Sequence, residues 1–423
     1  MRNTDYFKNK RITILGFGRS GLACANLLYD LGSDVCISDI QDSELTRLNL
    51  LKLKSKQIKV ELGRHSEGFI KNRDLIIISP GISDTSQAVI RAKGLKIPII
   101  SEIEAAWILC PGTIIAVTGS CGKTTITTLI GKILAAAGRR AFVCGNIGNP
   151  FSGEVDKINT DDFVSLEVSS FQLENCYTFK PKVSLILNFS PNHLDRYKNL
   201  QEYLEAKKRI FINQDNTDYL VLNSEDRALR ELAEETKAKV VFFSQKQGLN
   251  PNQAAVLAVG GILGIGEDLV GKIFNEFKGI EHRLEYVTQI NGIKFINDSK
   301  ATTVDSCVWA LKSIGEPIIL IAGGKDKGVD YDAVLEAARK KVKQVILIGQ
   351  AKQKIERVFK GHLPVKEART MQEAVSLAYK NAESGDCVLL SPMCASFDMF
   401  SDYEERGRVF KKAVLELCCV TLG

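Results

Sequence analysis

The segment from Ile114 to Thr125, IIAVTGSCGKTT, constrains the fold of this chain more than any other stretch. A β-branched run, Ile114 to Val117, precedes the glycine-rich part, and a segment with helical apolar periodicity, Ile126 to Ala137, follows it. This order predicts a strand, a glycine loop and a helix. In such a loop backbone N–H groups converge and the helix N-terminus adds positive potential, while lysine and threonine side chains can reach a phosphate and its Mg²⁺.

The loop carries the short pattern G-x-x-G-K-T, because Val117 stands where the full P-loop pattern has its first glycine. The flanking strand and helix favour binding of a nucleoside triphosphate over an ordinary glycine turn. The candidate phosphate-binding residues are Gly119, Ser120, Cys121, Gly122, Lys123, Thr124 and Thr125.

Length and composition narrow the class of protein. With 423 residues, 45% hydrophobic and 25% charged, the chain is expected to form two to four soluble globular domains. Its net charge of +6 is modest and scattered, which gives little support for nucleic-acid binding. The polar N-terminus and the lack of a long apolar run predict a cytoplasmic protein without membrane insertion. The eleven cysteines include no C-x-x-C pair and are expected to be reduced core residues.

A second glycine pattern lies near the N-terminus. Gly16 to Gly21 fits G-x-G-x-x-G after a predicted strand, Arg11 to Leu15, and Asp39 ends the next strand. Taken alone, this dinucleotide fingerprint predicts NAD binding. A buried strand, Leu75 to Ile78, then leads into Ser79-Pro80-Gly81, which is either a plain turn or part of a ligand crevice.

Beyond the glycine loop, strands alternate with helical patterns, which predicts a parallel sheet covered by helices. Glu167, near the end of one strand, is either a solvated charge or a ligand of Mg²⁺, and the preceding phosphate loop favours the metal. His193 lies in a polar loop after another strand. It is either a functional side chain or a solvent-exposed loop residue. Lys207 lies on a basic helix whose charge pattern alone would not single it out.

The last part of the chain repeats this alternation after a predicted hairpin around Asn291-Gly292. Three polar loops follow strands there, at 297–302, 323–328 and 391–398. Each loop alone could be an ordinary polar turn. Three such loops together favour a ligand-binding site at this edge of the sheet.

In combination these motifs resemble the Mur ligase family of peptidoglycan synthesis, in the family's order and over nearly the whole chain. They are GFGRSG, SPG, TGSCGKTT, GNIGNP, LEVSSFQLE, NHLDRY, AKKRIF, EHRLE, NDSKAT, GGKDKG and SPMCASFDMF. The resemblance implies an α/β fold of three domains. It also implies that the first domain binds the UDP of the substrate and not NAD. The expected domains are a Rossmann-like UDP-binding domain at 1–105, a central P-loop ATPase-type domain with a parallel sheet at 106–279, and a C-terminal Rossmann-like domain at 280–423.

The resemblance also implies roles for individual residues. The UDP part of the substrate is expected to contact Arg19, Ser20, Asp39, Gly81 and Asn146. ATP is expected to contact the glycine loop together with Asn252, Arg283, Asp298 and Lys300. The D-glutamate carboxylates are expected to contact Thr302, Lys327, Ser396 and Tyr403. The catalytic residues would be Lys123, Glu167, His193 and Lys207. His193 would also contact the substrate, and Lys207 would carry a carbamate made from CO₂. Magnesium would be held by Thr124, Glu167, His193 and Lys207.

The implied activity is an ATP-dependent amide ligase that adds D-glutamate to UDP-N-acetylmuramoyl-L-alanine through an acyl phosphate. Two Mg²⁺ ions and a monomer are expected. Three alternatives remain open: a ligase of the same superfamily with a different amino acid or a folate acceptor, an NAD-dependent oxidoreductase, and a non-enzymatic nucleotide switch.

Overall fold

The structure is a computed structural model that describes residues 3–189, 196–244, 249–277, 279–326 and 328–421. The chain divides into two compact units, Met1–Phe277 and Lys278–Gly423. The first unit contains two parallel sheets and the second contains one mixed sheet, so the expected α/β class is confirmed. Within the described ranges, no helix has the length and apolar character needed to cross a bilayer.

The first sheet has five parallel strands in the order β3-β2-β1-β4-β5. Its strands and the helices that follow them are β1 (Arg11–Leu15), α1 (Arg19–Asp30), β2 (Asp34–Asp39), α2 (Glu44–Leu50), β3 (Lys59–Leu62), β4 (Leu75–Ile78), α3 (Gln87–Gly94) and β5 (Ile99–Ser101). The strand order reverses between β1 and β4, so the loops after these two strands meet, and Ser79 Oγ donates to the Gly16 carbonyl at 3.2 Å. Such a reversal is where an open parallel sheet binds its ligand.

Helix α4 (Glu102–Leu109) follows the first sheet, and two of its buried carboxylates accept hydrogen bonds from segments of the second sheet. Glu104 accepts hydrogen bonds from Thr178 N and Oγ1, both at 2.6 Å, and from Phe179 N at 3.0 Å. Glu102 accepts from Ser152 N at 2.6 Å. Residue 105, the expected first boundary, lies inside this helix, and the division of the first unit into two domains stays a prediction.

The second sheet has six parallel strands in the order β11-β10-β9-β6-β8-β7. Its elements are β6 (Thr113–Thr118), α5 (Lys123–Ala136), β7 (Ala141–Gly145), β8 (Phe163–Glu167), α6 (Ser170–Leu173), β9 (Val183–Ile186), α7 (Leu200–Lys208), β10 (Tyr219–Asn223), α8 (Arg227–Glu231), β11 (Lys239–Phe243), α9 (Pro251–Ile262) and α10 (Glu267–Glu276). Strand β6 lies inside the sheet and is buried from Ile114 onward, and the strand, loop and helix expected there are confirmed. Strand β11 lies at one edge of this sheet.

The second unit has six strands in the order β12-β13-β17-β14-β15-β16, of which only β12 is antiparallel to its neighbour. Its elements are β12 (Glu285–Ile290), β13 (Ile293–Asn297), α11 (Val304–Ser313), β14 (Ile318–Gly323), α12 (Leu335–Arg339), β15 (Val342–Ile348), α13 (Lys352–Phe359), β16 (Val365–Glu367), α14 (Met371–Asn381), β17 (Cys387–Leu390) and α15 (Tyr403–Thr421). The expected hairpin is confirmed, because Asn291 and Gly292 have φ values of 49° and 79°, as a two-residue hairpin turn requires. The described cysteines are free thiols, and most are buried, as expected.

Candidate active site

The glycine loop after β6 forms a backbone cradle at the carboxyl end of the second sheet. Gly119 and Gly122 have φ values of 151° and 83°, which residues with a Cβ atom rarely adopt. Lys123 Nζ donates to the carbonyls of Gly119 at 2.8 Å and Ser120 at 3.3 Å, so its ammonium lies over the loop. Thr124, in the first turn of α5, is buried.

Asn188, which follows β9, fixes the middle of this loop. Its Oδ1 accepts from Cys121 N at 2.8 Å, and its Nδ2 donates to Cys121 O at 3.1 Å. Because β9 is the neighbour of β6 in the sheet, these two bonds set the loop relative to the sheet edge. Sequence reasoning missed Asn188. Its signal would have been an amide side chain at the carboxyl end of a buried strand.

Asn252, in the first turn of α9, lies against the same loop. A Cβ atom built at Gly122 would lie 2.8 Å from Asn252 Oδ1. The structure therefore brings Asn252, an expected ATP contact, next to the expected phosphate-binding loop.

Replacing Gly122 by Ala is expected to weaken ADP binding about tenfold, because the left-handed φ costs a residue with a Cβ roughly 1–2 kcal/mol. Asn252 would also have to move. Isothermal titration with ADP measures the change. Gly261→Ala, on α9 with open space around the new methyl group, is the matched control and should bind ADP like the wild type. Equal affinity for the two variants would contradict a tight cradle.

Glu167 ends β8, directly beside β6, where it pairs in register with Val117. Its side chain is buried, and its Oε1 accepts from Asn146 Nδ2 at 2.8 Å. Its Oε2 is also buried and accepts no hydrogen bond from any described residue. A buried carboxylate oxygen without a partner is costly, so this atom fits a Mg²⁺ ligand. Asn146, expected at the UDP, is placed beside Glu167.

Lys207, near the end of α7, has a side chain that is only 1% exposed. Its Nζ lies 4.5 Å from the centre of the Tyr203 ring, and no described acid forms an ion pair with it. Burial, and then the positive charge of Lys123, lower the pKa of Lys207 well below its usual value. Both effects favour the neutral, nucleophilic amine over the charged ammonium.

The loops of the first sheet hold the expected UDP contacts at the strand-order reversal. Asp39 Oδ2 accepts from Phe17 N at 2.6 Å, and its Oδ1 accepts from Gln41 N at 2.8 Å. Arg19 and Ser20 begin α1, and Gly81 follows β4 and is exposed. These residues lie on the edge where a ligand of this sheet would bind.

In the second unit, Asp298 follows β13 and is buried. It accepts hydrogen bonds from Leu284 N at 3.2 Å and from Ser391 Oγ at 3.0 Å. Burial raises the pKa of Asp298 to about 7, although the charge of Arg283 and the hydrogen bonds from Ser391 and Leu284 oppose the rise. Lys300, in the same loop, donates its backbone N–H to His282 O at 3.0 Å.

Asp298 is expected to make the unfolding temperature depend on pH. Since its folded pKa lies above the usual unfolded value of about 4, its stabilising contribution is complete below that value and is lost as the pH rises through about 7. Asp298→Asn should therefore show a flatter dependence of the unfolding temperature between pH 5 and 8 than the wild type. Thermal unfolding followed by circular dichroism measures this. Asp332→Asn, at an exposed acid, is the control, and parallel curves for wild type and Asp298→Asn would contradict the assignment.

Arg406 of α15 organises two of the expected binding loops, and sequence reasoning missed it. Its fully buried guanidinium donates to Ser299 O at 2.8 Å, Ser299 Oγ at 2.9 Å, Cys394 O at 3.1 Å and Ala395 O at 3.2 Å. The loops at 297–302 and 391–398, which carry the expected residues Thr302 and Ser396, are thereby joined. The signal was an arginine on the apolar face of an amphipathic helix.

Tyr403, another predicted residue of this unit, begins α15 beside the same loops. Its backbone O accepts a hydrogen bond from Ser299 Oγ at 2.8 Å. His193 and Lys327 lie outside the described residues, so their expected roles stay predictions.

Comparison with known proteins gives matches along the chain. Residues 10–101 match the MurD-like N-terminal domain of Mur ligases, residues 117–259 match the Mur ligase middle domain, and residues 282–394 match the Mur ligase glutamate ligase domain.

Two curated relatives carry the same enzyme name. The UDP-N-acetylmuramoylalanine–D-glutamate ligase of Caldanaerobacter subterraneus subsp. tengcongensis is 40% identical, and the alignment covers 97% of this chain and 99% of that protein. The corresponding ligase of Koribacter versatilis is 38% identical over 97% of this chain and 98% of that protein.

Solved structures are similar in fold. UDP-N-acetylmuramate–alanine ligase MurC from Thermotoga maritima aligns with a TM-score of 0.59 at 20% identity, covering 96% of this chain and 100% of that one. MurF ligase from Thermotoga maritima in complex with ADP also aligns with a TM-score of 0.59, at 15% identity, covering 98% and 97% of the two chains.

Proposed function

The chain belongs to the Mur ligase family, and from this premise we propose that it joins D-glutamate to UDP-N-acetylmuramoyl-L-alanine as an ATP-dependent ligase. The observation that carries the proposal is the 40% identity over 97% of the chain to a relative named for that reaction. The glycine loop and the buried Glu167 and Lys207 give the first unit the groups such a reaction needs.

Activation of the carboxylate comes first. A carboxylate is a poor electrophile, so one of its oxygens attacks the γ-phosphorus of ATP, ADP leaves, and an acyl phosphate forms. The loop N–H groups and Lys123 hold the phosphates and offset the negative charge that builds up during the transfer. Lys123 now donates to carbonyls of its own loop, so it exchanges these bonds for phosphate oxygens when ATP binds.

Thr124, Glu167, His193 and Lys207 would hold magnesium, which when bound neutralises phosphate charge and orients the oxygens for in-line transfer. The unpartnered Oε2 of Glu167 supports this assignment. Asn146 donates to the other oxygen of Glu167 and so holds the carboxylate in place. We propose that two Mg²⁺ ions bind here.

Lys207 is proposed to react with CO₂. Its neutral amine nitrogen bonds to the carbon of CO₂, a proton leaves the nitrogen, and the product is an anionic carbamate. The buried side chain beside Lys123 and without a described acidic partner supports this step, because a carbamate would supply the missing negative charge.

The amide bond forms in the second step. The amine of D-glutamate attacks the acyl carbon, phosphate leaves, and a proton is lost from the nitrogen. Thr302, Lys327, Ser396 and Tyr403 are proposed to bind the D-glutamate carboxylates, and Asn252, Arg283, Asp298 and Lys300 to bind ATP. We propose that Arg19, Ser20, Asp39, Gly81, Asn146 and His193 contact the UDP-sugar substrate.

The reaction is proposed to occur in the cytoplasm, where ATP and nucleotide sugars are available. The enzyme is proposed to act as a monomer.

Phosphate release from ATP tests the substrate assignment. With UDP-N-acetylmuramoyl-L-alanine present, D-glutamate should stimulate release at least tenfold more than L-glutamate, L-lysine or diaminopimelate. Stimulation by one of the other amino acids would assign the chain to a different reaction of the family. No stimulation by any of them would contradict a ligase activity.

A further inference from the structure

Arg196 connects the two sheets of the first unit through its guanidinium. Its Nη1 donates to Pro80 O at 3.2 Å, and its Nη2 donates to Ile82 O at 3.2 Å. Its Nε and Nη2 also donate to Glu174 Oε1 at 3.2 Å and Oε2 at 2.6 Å. One planar group therefore binds two carbonyls from one sheet and a paired carboxylate from the other. Such a fork suits arginine, because lysine offers a single point charge.

The carbonyls belong to the loop that follows β4. They flank Gly81 on either side, so the two hydrogen bonds fix the backbone around a proposed substrate contact. Asn175 Nδ2 adds a weaker bond to Asp84 Oδ1 at 3.4 Å, further along the same loop. This loop also contacts the glycine turn after β1 through Ser79 and Gly16.

The carboxylate belongs to the segment that follows Glu167. Glu174 is the residue after α6, and α6 begins three residues after the end of β8. The guanidinium lies over the ring of Phe171, in α6, with 4.2 Å from its central carbon to the ring centre. Arg196 is therefore fixed on its second side to the short segment that follows the proposed magnesium ligand.

The residue after Arg196 packs against the ring that lies beside Lys207. The ring of Tyr197 lies 5.2 Å from that of Tyr203, and the Tyr203 ring in turn packs under Lys207 Nζ. Arg196 thus contacts the loop after β4 of the first sheet, and Tyr197 contacts Tyr203 of α7, next to Lys207.

We propose that Arg196 is a positioning residue that holds the loop at 80–82 in the place needed to bind the UDP-sugar. This inference rests on the proposed function, because it assigns the loop to that substrate. Arg196 acts through the backbone of the loop and through Glu174.

Substrate binding to Arg196→Met tests the inference. Isothermal titration measures the affinity for UDP-N-acetylmuramoyl-L-alanine with a non-hydrolysable ATP analogue and Mg²⁺ present, and the affinity for ADP separately. Affinity for the UDP-sugar should fall at least tenfold, while affinity for ADP stays within twofold. In steady state the KM for the UDP-sugar should rise at least tenfold, with kcat changed less than threefold. Arg196→Lys should lie between the wild type and Arg196→Met.

Arg209→Met is the matched control. Arg209 donates to Cys176 O at 3.0 Å and lies over the ring of Tyr177, in the same part of the unit, but it makes no described hydrogen bond to the loop at 80–82. Its affinity for the UDP-sugar should match the wild type. The double variant Arg196→Met/Glu174→Gln should bind no more weakly than Arg196→Met alone, because Glu174 acts by holding Arg196.

The outcomes separate the two proposals. If the wild type does not bind the UDP-sugar, the proposed function is wrong. If the wild type binds and Arg196→Met binds equally well, the positioning role is wrong. Loss of ADP binding together with UDP-sugar binding would show a general structural role and would also overturn the inference.

Discussion

Lys123→Met is expected to lower kcat by about 1000-fold, with the overall fold retained. Its ammonium lies over the glycine loop, where it donates to the carbonyls of Gly119 and Ser120. In the proposed transfer it offsets charge on the γ-phosphate, and removal of such a group typically costs about 3–4 kcal/mol of transition-state stabilisation. Phosphate release with ATP, D-glutamate and the UDP-sugar measures the loss.

Lys132→Met is the control for this experiment. Lys132 lies on the same helix, α5, and is exposed, so its replacement removes the same charge from the same element without touching the loop. Its rate should stay within twofold of the wild type. A rate for Lys123→Met within tenfold of the wild type would contradict the proposed use of the loop.

Lys207→Ala is expected to lower activity by about two to three orders of magnitude, and short carboxylic acids such as acetate or formate should restore part of it. The substitution removes the proposed carbamate and leaves a buried space into which a small carboxylate can bring a negative charge. Activity measured against acid concentration should saturate, as binding to a site requires.

Two controls make the rescue specific. Acetamide has nearly the shape of acetate without its charge and should not restore activity. Lys208→Ala removes the next lysine, which pairs with Glu205 at 2.9 Å and with Glu235 on the surface, and should leave the rate nearly unchanged. An unaffected rate for Lys207→Ala would remove the carbamate hypothesis, and equal rescue by acetamide would assign the effect to packing.

The parts of the site that the sequence predicted are those encoded within one short segment. The strand, glycine loop and helix from Thr113 to Ala136 follow from local β-branching, glycine content and apolar periodicity, and the structure confirms them. The fingerprint at Gly16 to Gly21 likewise lies between a strand and a helix, although its apparent preference for NAD could be set aside only through the family resemblance.

The contacts that were not predicted depend on which strands become neighbours. Asn188 forms hydrogen bonds with the glycine loop because β9 lies beside β6. Asn146 contacts Glu167 because β7 lies beside β8. Arg196 contacts residues more than 100 positions earlier in the chain. Nothing in the local pattern around these residues specifies such partners, since sheet order is set by packing of the whole unit.

The transfer of oxygen from substrate to phosphate tests the central claim most directly. UDP-N-acetylmuramoyl-L-alanine labelled with ¹⁸O in both oxygens of its free carboxylate is incubated with ATP and D-glutamate, and the products are analysed by mass spectrometry. If the carboxylate attacks the γ-phosphorus held by Gly119 to Thr125, one ¹⁸O atom should appear in inorganic phosphate and the other should remain in the new amide. Phosphate without ¹⁸O, or ¹⁸O found in AMP, would contradict the acyl phosphate and with it this account of the site.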